Sequence, residues 1–317
     1  MTDSIIDYKN NIFAIDAHYW RPLRAALHFI VENGRAAIID AGSNDSLPYV
    51  LRALNQLGLT PEAVDYVILT HVHLDHAGGA GLLMRHLPNA RLVVHPRGAR
   101  HMIDPAKLVA GATLVYGAEA MRRLYGEILP VPKERLIEAP HETIINLAGR
   151  ELLCLDTPGH AKHHITIVDR QSASVFTGDV FGVSYRDLDT DGRQFVFPTT
   201  SPVQFDPEAA HASIGLICSL APKVVYQTHF SELRDVPAQA EHLRRMIDAH
   251  AAIARRAGSL DPAERLKGIR ADLTRLLLDE AGRFGCRLEP EQILAVWRTD
   301  INMNAKGLAV WIDKRNS

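Results

Sequence analysis

From Thr70 to Gly79 the chain reads Thr-His-Val-His-Leu-Asp-His-Ala-Gly-Gly, placing His71, His73, Asp75 and His76 within six positions behind the apolar run Tyr66-Val67-Ile68-Leu69. Imidazole and carboxylate are ligands that suit zinc, iron and manganese, and a strand-to-helix turn can aim several of them at one point. The chemistry on offer is that of a bound cation, which acidifies water and polarises a carbonyl. The competing reading is a set of polar residues on a solvated loop. With 16 histidines in 317 residues, such a run arises by chance in roughly a few chains per thousand, which decides for the metal.

Downstream, more histidines and aspartates stand at the ends of apolar runs. Glu151 to Leu155 leads into Asp156-Thr157-Pro158-Gly159-His160, Ser174 to Thr177 into Gly178-Asp179, and Val224 to Gln227 into Thr228-His229. Upstream, Ala36 to Ile39 ends in Asp40.

These motifs, in this order, resemble the signature of the metallo-β-lactamase superfamily of metallohydrolases. The resemblance implies that His71, His73 and His160 hold one metal, that Asp75, His76 and His229 hold a second, and that Asp179 bridges them. Two divalent ions are expected, zinc first, with iron and manganese compatible with the same donors. Open coordination positions would leave room for a bridging hydroxide, with Asp75 orienting it or accepting its proton. Asp40 is expected to support the ligands from behind, the alternative being a cap on the helix beginning near Asp45. Gly78 and Gly79 would let the following helix pass close to the metals without a Cβ in the way. His164 reads as structural, and His163 has no assigned role.

The elements that must position these residues can be read from periodicity. Asn11 to Asp16, Ala26 to Val31 and Ala36 to Asp40 form an opening meander, turned at Glu32-Asn33-Gly34. A helix from Pro48 to Leu57 stops at Gly58, and Val64 to Leu69 is the strand that delivers His71. Strand and helix then alternate through Leu92-Val93-Val94, which argues for an α/β layered fold. The resemblance specifies it as an αββα sandwich.

From about 96 to 140 the pattern breaks into short helical pieces, such as Glu119 to Ile128, read as an insertion over the site; His101, Tyr116 and Tyr125 within it read as packing or surface. Strands resume over 143–147, 151–155, 165–168 and 174–177. Asp206-Pro207 opens a helix with Ile214, Ile217, Cys218 and Ala221 on its apolar face. Residues 1–234 thus form the metallohydrolase domain and 235–317 a helical extension. Apolar repeats extend from Leu243 to Gly258 and from Leu266 to Gly285, with a third helix at Ile293 to Trp297 and a last short one through Leu308, Trp311 and Ile312. Such an extension resembles the helical C-terminal piece of the glyoxalase II (hydroxyacylglutathione hydrolase) branch, where it helps hold substrate; a homodimer contact is the other use for it.

Composition narrows the class. Lys and Arg total 35 against 37 Asp and Glu, a net charge of −2, which speaks against a nucleic-acid partner. The acidic N-terminus lacks the basic and then apolar segments of a secretory signal, and no apolar run reaches membrane-spanning length. Cys154, Cys218 and Cys286 are widely spaced and odd in number, fitting reduced thiols in a cytoplasm.

No Gly-x-Ser-x-Gly nucleophile motif competes with the metal. The expected function is therefore metal-dependent hydrolysis of an ester, thioester or lactone of a small molecule. The alternative is a mononuclear iron persulfide dioxygenase on the same scaffold. A binding protein that had lost activity should have lost ligands, and all seven are present. Tyr185 is expected to donate to a substrate oxygen and Arg186 to hold a carboxylate, the alternatives being a packed tyrosine and a surface arginine. The stretch around them departs from the basic-aromatic segment with which glyoxalase II holds glutathione.

Overall fold

The structure, a computed structural model, describes residues 5–200 and 203–316. Residues 1–4, on which part of the leader reading rests, lie outside the described residues, as do 201–202 and 317. The chain divides into two compact units. The first comprises Met1–Asp156, His163–Gly178 and Val224–Glu232, and the second Thr157–Lys162, Asp179–Lys223 and Leu233–Ser317.

The first unit is built on two sheets. One contains β1 (Ile6–Asp7), β2 (Ile12–Asp16), β3 (Ala26–Glu32), β4 (Arg35–Ile39), β5 (Val64–Ile68), β6 (Arg91–Val94) and β7 (Leu136–Glu138), in that spatial order. Strands β1 to β4 are antiparallel and β4 to β7 parallel. Helices α1 (Leu47–Gln56), α2 (Leu74–Ala77), α3 (Ala80–His86), α4 (Pro96–Ile103), α5 (Ala106–Tyr116) and α6 (Ala118–Tyr125) fill the parallel connections. The other sheet holds β8 (Thr143–Leu147), β9 (Arg150–Asp156), β10 (Ile165–Asp169), β11 (Ser174–Gly178), β12 (Val224–Gln227) and, at its edge, β13 (Ser231–Leu233).

Alternation along the strands explains the layering. Ile39, Ile68 and Val93 pack with Leu152, Cys154, Ile167 and Phe176 of the second sheet, while their neighbours Ile38, Val67 and Leu92 face Val50 and Leu54 of α1 and Leu83 of α3. Both faces are buried along Ala36–Ile39, Val67–Leu69 and Leu92–Val94, which is why these parts of the central strands read as apolar runs. Cys154 lies in the core between the sheets, and its burial pushes the thiol up to about 12, as expected of an inert structural cysteine. Residues 96–140 do contain short helices, but the stretch ends in β7, which joins the sheet beside β6.

In the second unit, α7 (Pro207–Ser219) is capped by Asp206, which accepts from the backbone N–H groups of Glu208 and Ala209 at 3.1 Å. Ile214 and Ile217 are buried as expected, whereas Ala221 falls beyond the helix end and is exposed. Three long helices follow: α8 (Val236–Ala257), α9 (Pro262–Phe284) and α10 (Pro290–Asn316). The expectation of two helices after residue 290 is corrected here. No proline interrupts that stretch, and Ile293, Trp297, Ile301, Ala305, Leu308 and Ile312 form one buried stripe. The stretch between the two expected pieces is anchored by Asn304, whose side chain accepts from Thr200 N–H at 2.7 Å and donates to the Pro198 carbonyl at 3.0 Å.

Among the described residues no helix is long and apolar enough to cross a membrane.

Candidate metal centre

Asp40 directly follows β4 with a backbone φ of 63°, a left-handed conformation that aspartate tolerates better than most side chains. Its carboxylate is buried and accepts from four donors. These are the Thr70 N–H at 2.8 Å, the Thr70 hydroxyl at 3.0 Å, the Thr228 hydroxyl at 2.8 Å and His76 Nδ1 at 2.9 Å. The alternative role for Asp40 as a helix cap is not taken, since Ser43 occupies the cap position of the short helix starting at Asn44.

A carboxylate can only accept, so the proton of His76 sits on Nδ1 and its Nε2 is left for a metal. His229 is set the same way: Nδ1 donates to the Arg24 carbonyl at 2.7 Å, and Nε2 stands 3.3 Å from Asp75 Oδ2. His76 Nε2 lies 3.9 Å from the same oxygen. One ligand atom from each of Asp75, His76 and His229 falls within 4.8 Å of the others. Ligands about 2.0–2.2 Å from a tetrahedral zinc stand roughly 3.3–3.6 Å apart, so the donor set fits a cation with little movement.

Beside this triad, His71 and His73 form a pair with Nε2 and Nδ1 2.9 Å apart. Thr70 commits its hydroxyl proton to Asp40 and can accept from His71 Nδ1 at 3.2 Å, which again leaves Nε2 of His71 for coordination. His164 is fully buried and a Cβ on Gly178 would meet its Nε2 at 2.7 Å, in keeping with a structural role. His163 Nδ1 accepts from Val72 N–H at 3.4 Å.

Gly79 lies against the loop that carries Asp40. A Cβ on Gly79 would lie 2.5 Å from the Ser43 carbonyl oxygen and 2.6 Å from that of Ala41. Gly79 N–H also donates to the Gly42 carbonyl at 2.8 Å, and Ala41 N–H to the His76 carbonyl at 2.7 Å. What these contacts bring close to the ligand turn is the loop that carries Asp40.

In the second unit, His160 Nε2 and Asp179 Oδ2 are 3.6 Å apart. His160 follows Gly159, whose φ is 132° and where a Cβ would meet Ala210 of α7 at 2.4 Å. The loop is further seated on α7 by the Ser213 hydroxyl donating to the Pro158 carbonyl at 2.6 Å. Both residues are reached directly from strand ends of the first unit, His160 four residues after β9 and Asp179 one after β11.

Tyr185 is buried, and its hydroxyl donates to Asp300 Oδ1 of α10 at 2.8 Å. Arg186 donates to the Ser184 carbonyl at 2.8 Å and to the Ser184 hydroxyl at 2.6 Å.

Three supporting groups escaped the sequence reading: the hydroxyls of Thr70 and Thr228, and the carbonyl of Arg24. The threonines carried a signal, since each directly precedes a candidate ligand histidine just after a strand. The carbonyl carried none.

A two-sheet α/β scaffold with a histidine–carboxylate cluster at its strand ends defines a metallohydrolase-type protein. The chain belongs to the metallo-β-lactamase superfamily, whose family model matches residues 21–229. It is similar to the YobT protein of Bacillus subtilis, 26% identical over 224 residues, or 69% of this chain and 88% of that one. Hydroxyacylglutathione hydrolase of Xanthomonas campestris is 28% identical over 225 residues, 70% of this chain and 69% of that one. Acyl-coenzyme A thioesterase MBLAC2 of Gallus gallus is 29% identical over 174 residues, 50% and 57% of the two chains. Among solved structures, the superfamily protein ST1585 from Sulfolobus tokodaii superposes with a TM-score of 0.61 at 26% identity, over 75% of this chain and 86% of that one. The family protein TTHA1429 from Thermus thermophilus shares the fold over 96% of this chain and 93% of that one, at 20% identity and a TM-score of 0.65.

Proposed function

We propose that this protein is a dinuclear metal hydrolase that cleaves an ester, thioester or lactone of a small molecule. The observation that carries the reading is the convergence of Asp75, His76 and His229, with both rings turned by their Nδ1 partners so that Nε2 faces the carboxylate. In this reading His71, His73 and His160 would hold one ion and Asp75, His76 and His229 the other, with Asp179 as a further carboxylate donor. A bound pair of divalent cations, zinc in the first instance, supplies an acidified water as nucleophile and a Lewis acid for the carbonyl.

The remaining work falls to the chain. Asp75, whose side chain is about one-fifth exposed, offers one carboxylate oxygen to the ligand cluster and a second that can orient or accept a proton of the attacking water. Asp40, held by its four donors, accepts from His76 and keeps that ring's proton on Nδ1. Tyr185, fixed by Asp300, is assigned to a substrate oxygen; donating to it requires the phenol to release that carboxylate. Relatives named as a thioesterase and a hydroxyacylglutathione hydrolase support acyl-bond cleavage.

The test is metal content of protein purified without chelator, read together with hydrolysis of a small thioester and lactone panel and oxygen uptake with a persulfide. Near two metals per chain, hydrolysis lost in Asp179→Ala and no oxygen consumption are expected. One iron per chain with oxygen uptake would overturn the reading in favour of the dioxygenase.

A further inference from the structure

The loop between β2 and β3 is wound in a way that its own sequence does not favour. His18, Trp20 and Leu23 all adopt left-handed φ values, of 53°, 63° and 54°, and none is glycine. Such residues persist only where the surroundings over-determine them, and strain of this kind gathers where geometry is used. The clamp here is Asp16, the buried last residue of β2. One oxygen accepts from His18 N–H at 2.9 Å and the other from Leu23 N–H at 2.8 Å, so a single carboxylate spans the loop. The residue after Leu23 is Arg24, whose carbonyl takes the Nδ1 proton of His229. The neighbouring Ala26 N–H donates to the Thr228 carbonyl at 2.8 Å, so the exit of the loop is registered against the residue preceding His229.

We infer that Asp16 is a positioning residue for His229, acting on the metal ligand through the peptide groups of Leu23 and Arg24. The inference rests on the proposed metal centre. The carboxylate fixes the Leu23 N–H, the left-handed Leu23 turns the chain, and the Arg24 carbonyl is thereby presented to the ring. Removing the clamp lets the loop relax toward unstrained φ values and withdraws the acceptor that holds the His229 tautomer and ring orientation. Partners of this kind typically govern metal affinity by about 10–100-fold.

The same loop has a second mooring that does not lie on this path. The hydroxyls of Tyr19 and Tyr125 are 2.6 Å apart and buried, tying the loop to α6. Tyr125→Phe therefore loosens the loop without touching the Asp16 clamp, and separates positioning from general stability.

The experiment titrates cobalt(II) into the metal-free protein, reading the d–d absorbance, for the wild type, Asp16→Asn, Asp16→Ala and Tyr125→Phe. Near-ultraviolet circular dichroism confirms folding of each, and Asp16→Asn, which keeps one acceptor oxygen, carries the test if the alanine variant fails to fold. One of the cobalt equivalents is expected to bind about tenfold more weakly in Asp16→Asn, and more weakly still in Asp16→Ala, while Tyr125→Phe keeps wild-type affinity. In the metal-free protein the His229 Nδ1 proton should also exchange faster in Asp16→Asn than in Tyr125→Phe. Unchanged affinity in a folded Asp16→Asn, or equal losses in Asp16→Asn and Tyr125→Phe, would overturn the positioning role and leave the metal centre standing. A wild type that binds no cobalt would overturn the metal reading and this inference with it.

Discussion

His76 Nδ1 stands 2.9 Å from Asp40 Oδ2, with both side chains closed off from solvent. Because Asp40 also gathers Thr70 and Thr228, one carboxylate ties the ends of β4, β5 and β12 to a single ligand ring. Asp40→Ala should weaken metal binding about 10–100-fold by freeing that ring. It should also destabilise the fold by about 1–3 kcal/mol through the donors it orphans. Metal titration and urea denaturation measure the two effects separately, and wild-type metal affinity in the variant would count against the arrangement.

Metal binding should be visible as stability. A cation that binds only the folded chain adds about 2.7 kcal/mol when present at a hundred times its Kd. Chelation should therefore lower Tm, and stoichiometric zinc should restore it, as read by differential scanning calorimetry.

His250 supplies a pH dependence away from the metal ligands. It is fully buried on α8, donates through Nδ1 to the Met246 carbonyl at 2.7 Å, and burial lowers its pKa to about 4. The folded chain thus resists a proton that the unfolded chain takes up below about 6.5. Its contribution to stability is complete above that value and is lost as pH falls toward 4, by on the order of 3 kcal/mol. Chemical denaturation between pH 7 and pH 4 should show this slope in the wild type, and a shallower one in His250→Gln.

Arg150 and Asp169 form a buried ion pair next to the β9–β10 register, and the guanidinium also donates to the Asn10 carbonyl at 3.0 Å. Removing one partner leaves a charge buried without its counterpart, so Arg150→Ala should cost about 3–5 kcal/mol. The double variant Arg150→Met with Asp169→Leu should recover most of that loss. Equal losses in both would contradict the argument from uncompensated charge.

Tyr185→Phe tests two roles at once. Losing the hydrogen bond to the Asp300 carboxylate should cost about 1.5–3 kcal/mol of stability. The proposed contact with a substrate oxygen adds a fall in kcat at unchanged metal content. A stability loss with kcat unaltered would leave Tyr185 its anchoring role alone.

Much of this was legible along the chain because the physics is local. The stretches Ala36–Ile39, Tyr66–Leu69 and Leu92–Val94 read as apolar runs, and a strand end is where a side chain can turn toward a site. The continuity of α10 was less legible, because Asn304 in its middle is held by Thr200 and Pro198, more than a hundred residues away.

The sequence by itself determined the α/β layering and the types and order of the candidate ligand residues, since periodicity and donor chemistry are properties of neighbouring residues. Only the tertiary structure decided which nitrogen of each ring is left for a metal, because that choice depends on acceptors distant in the chain: Asp40 for His76, and the Arg24 carbonyl for His229. A backbone carbonyl has no letter in a sequence. Its direction is set by the winding of a loop and by the carboxylate of Asp16 that holds that winding in place.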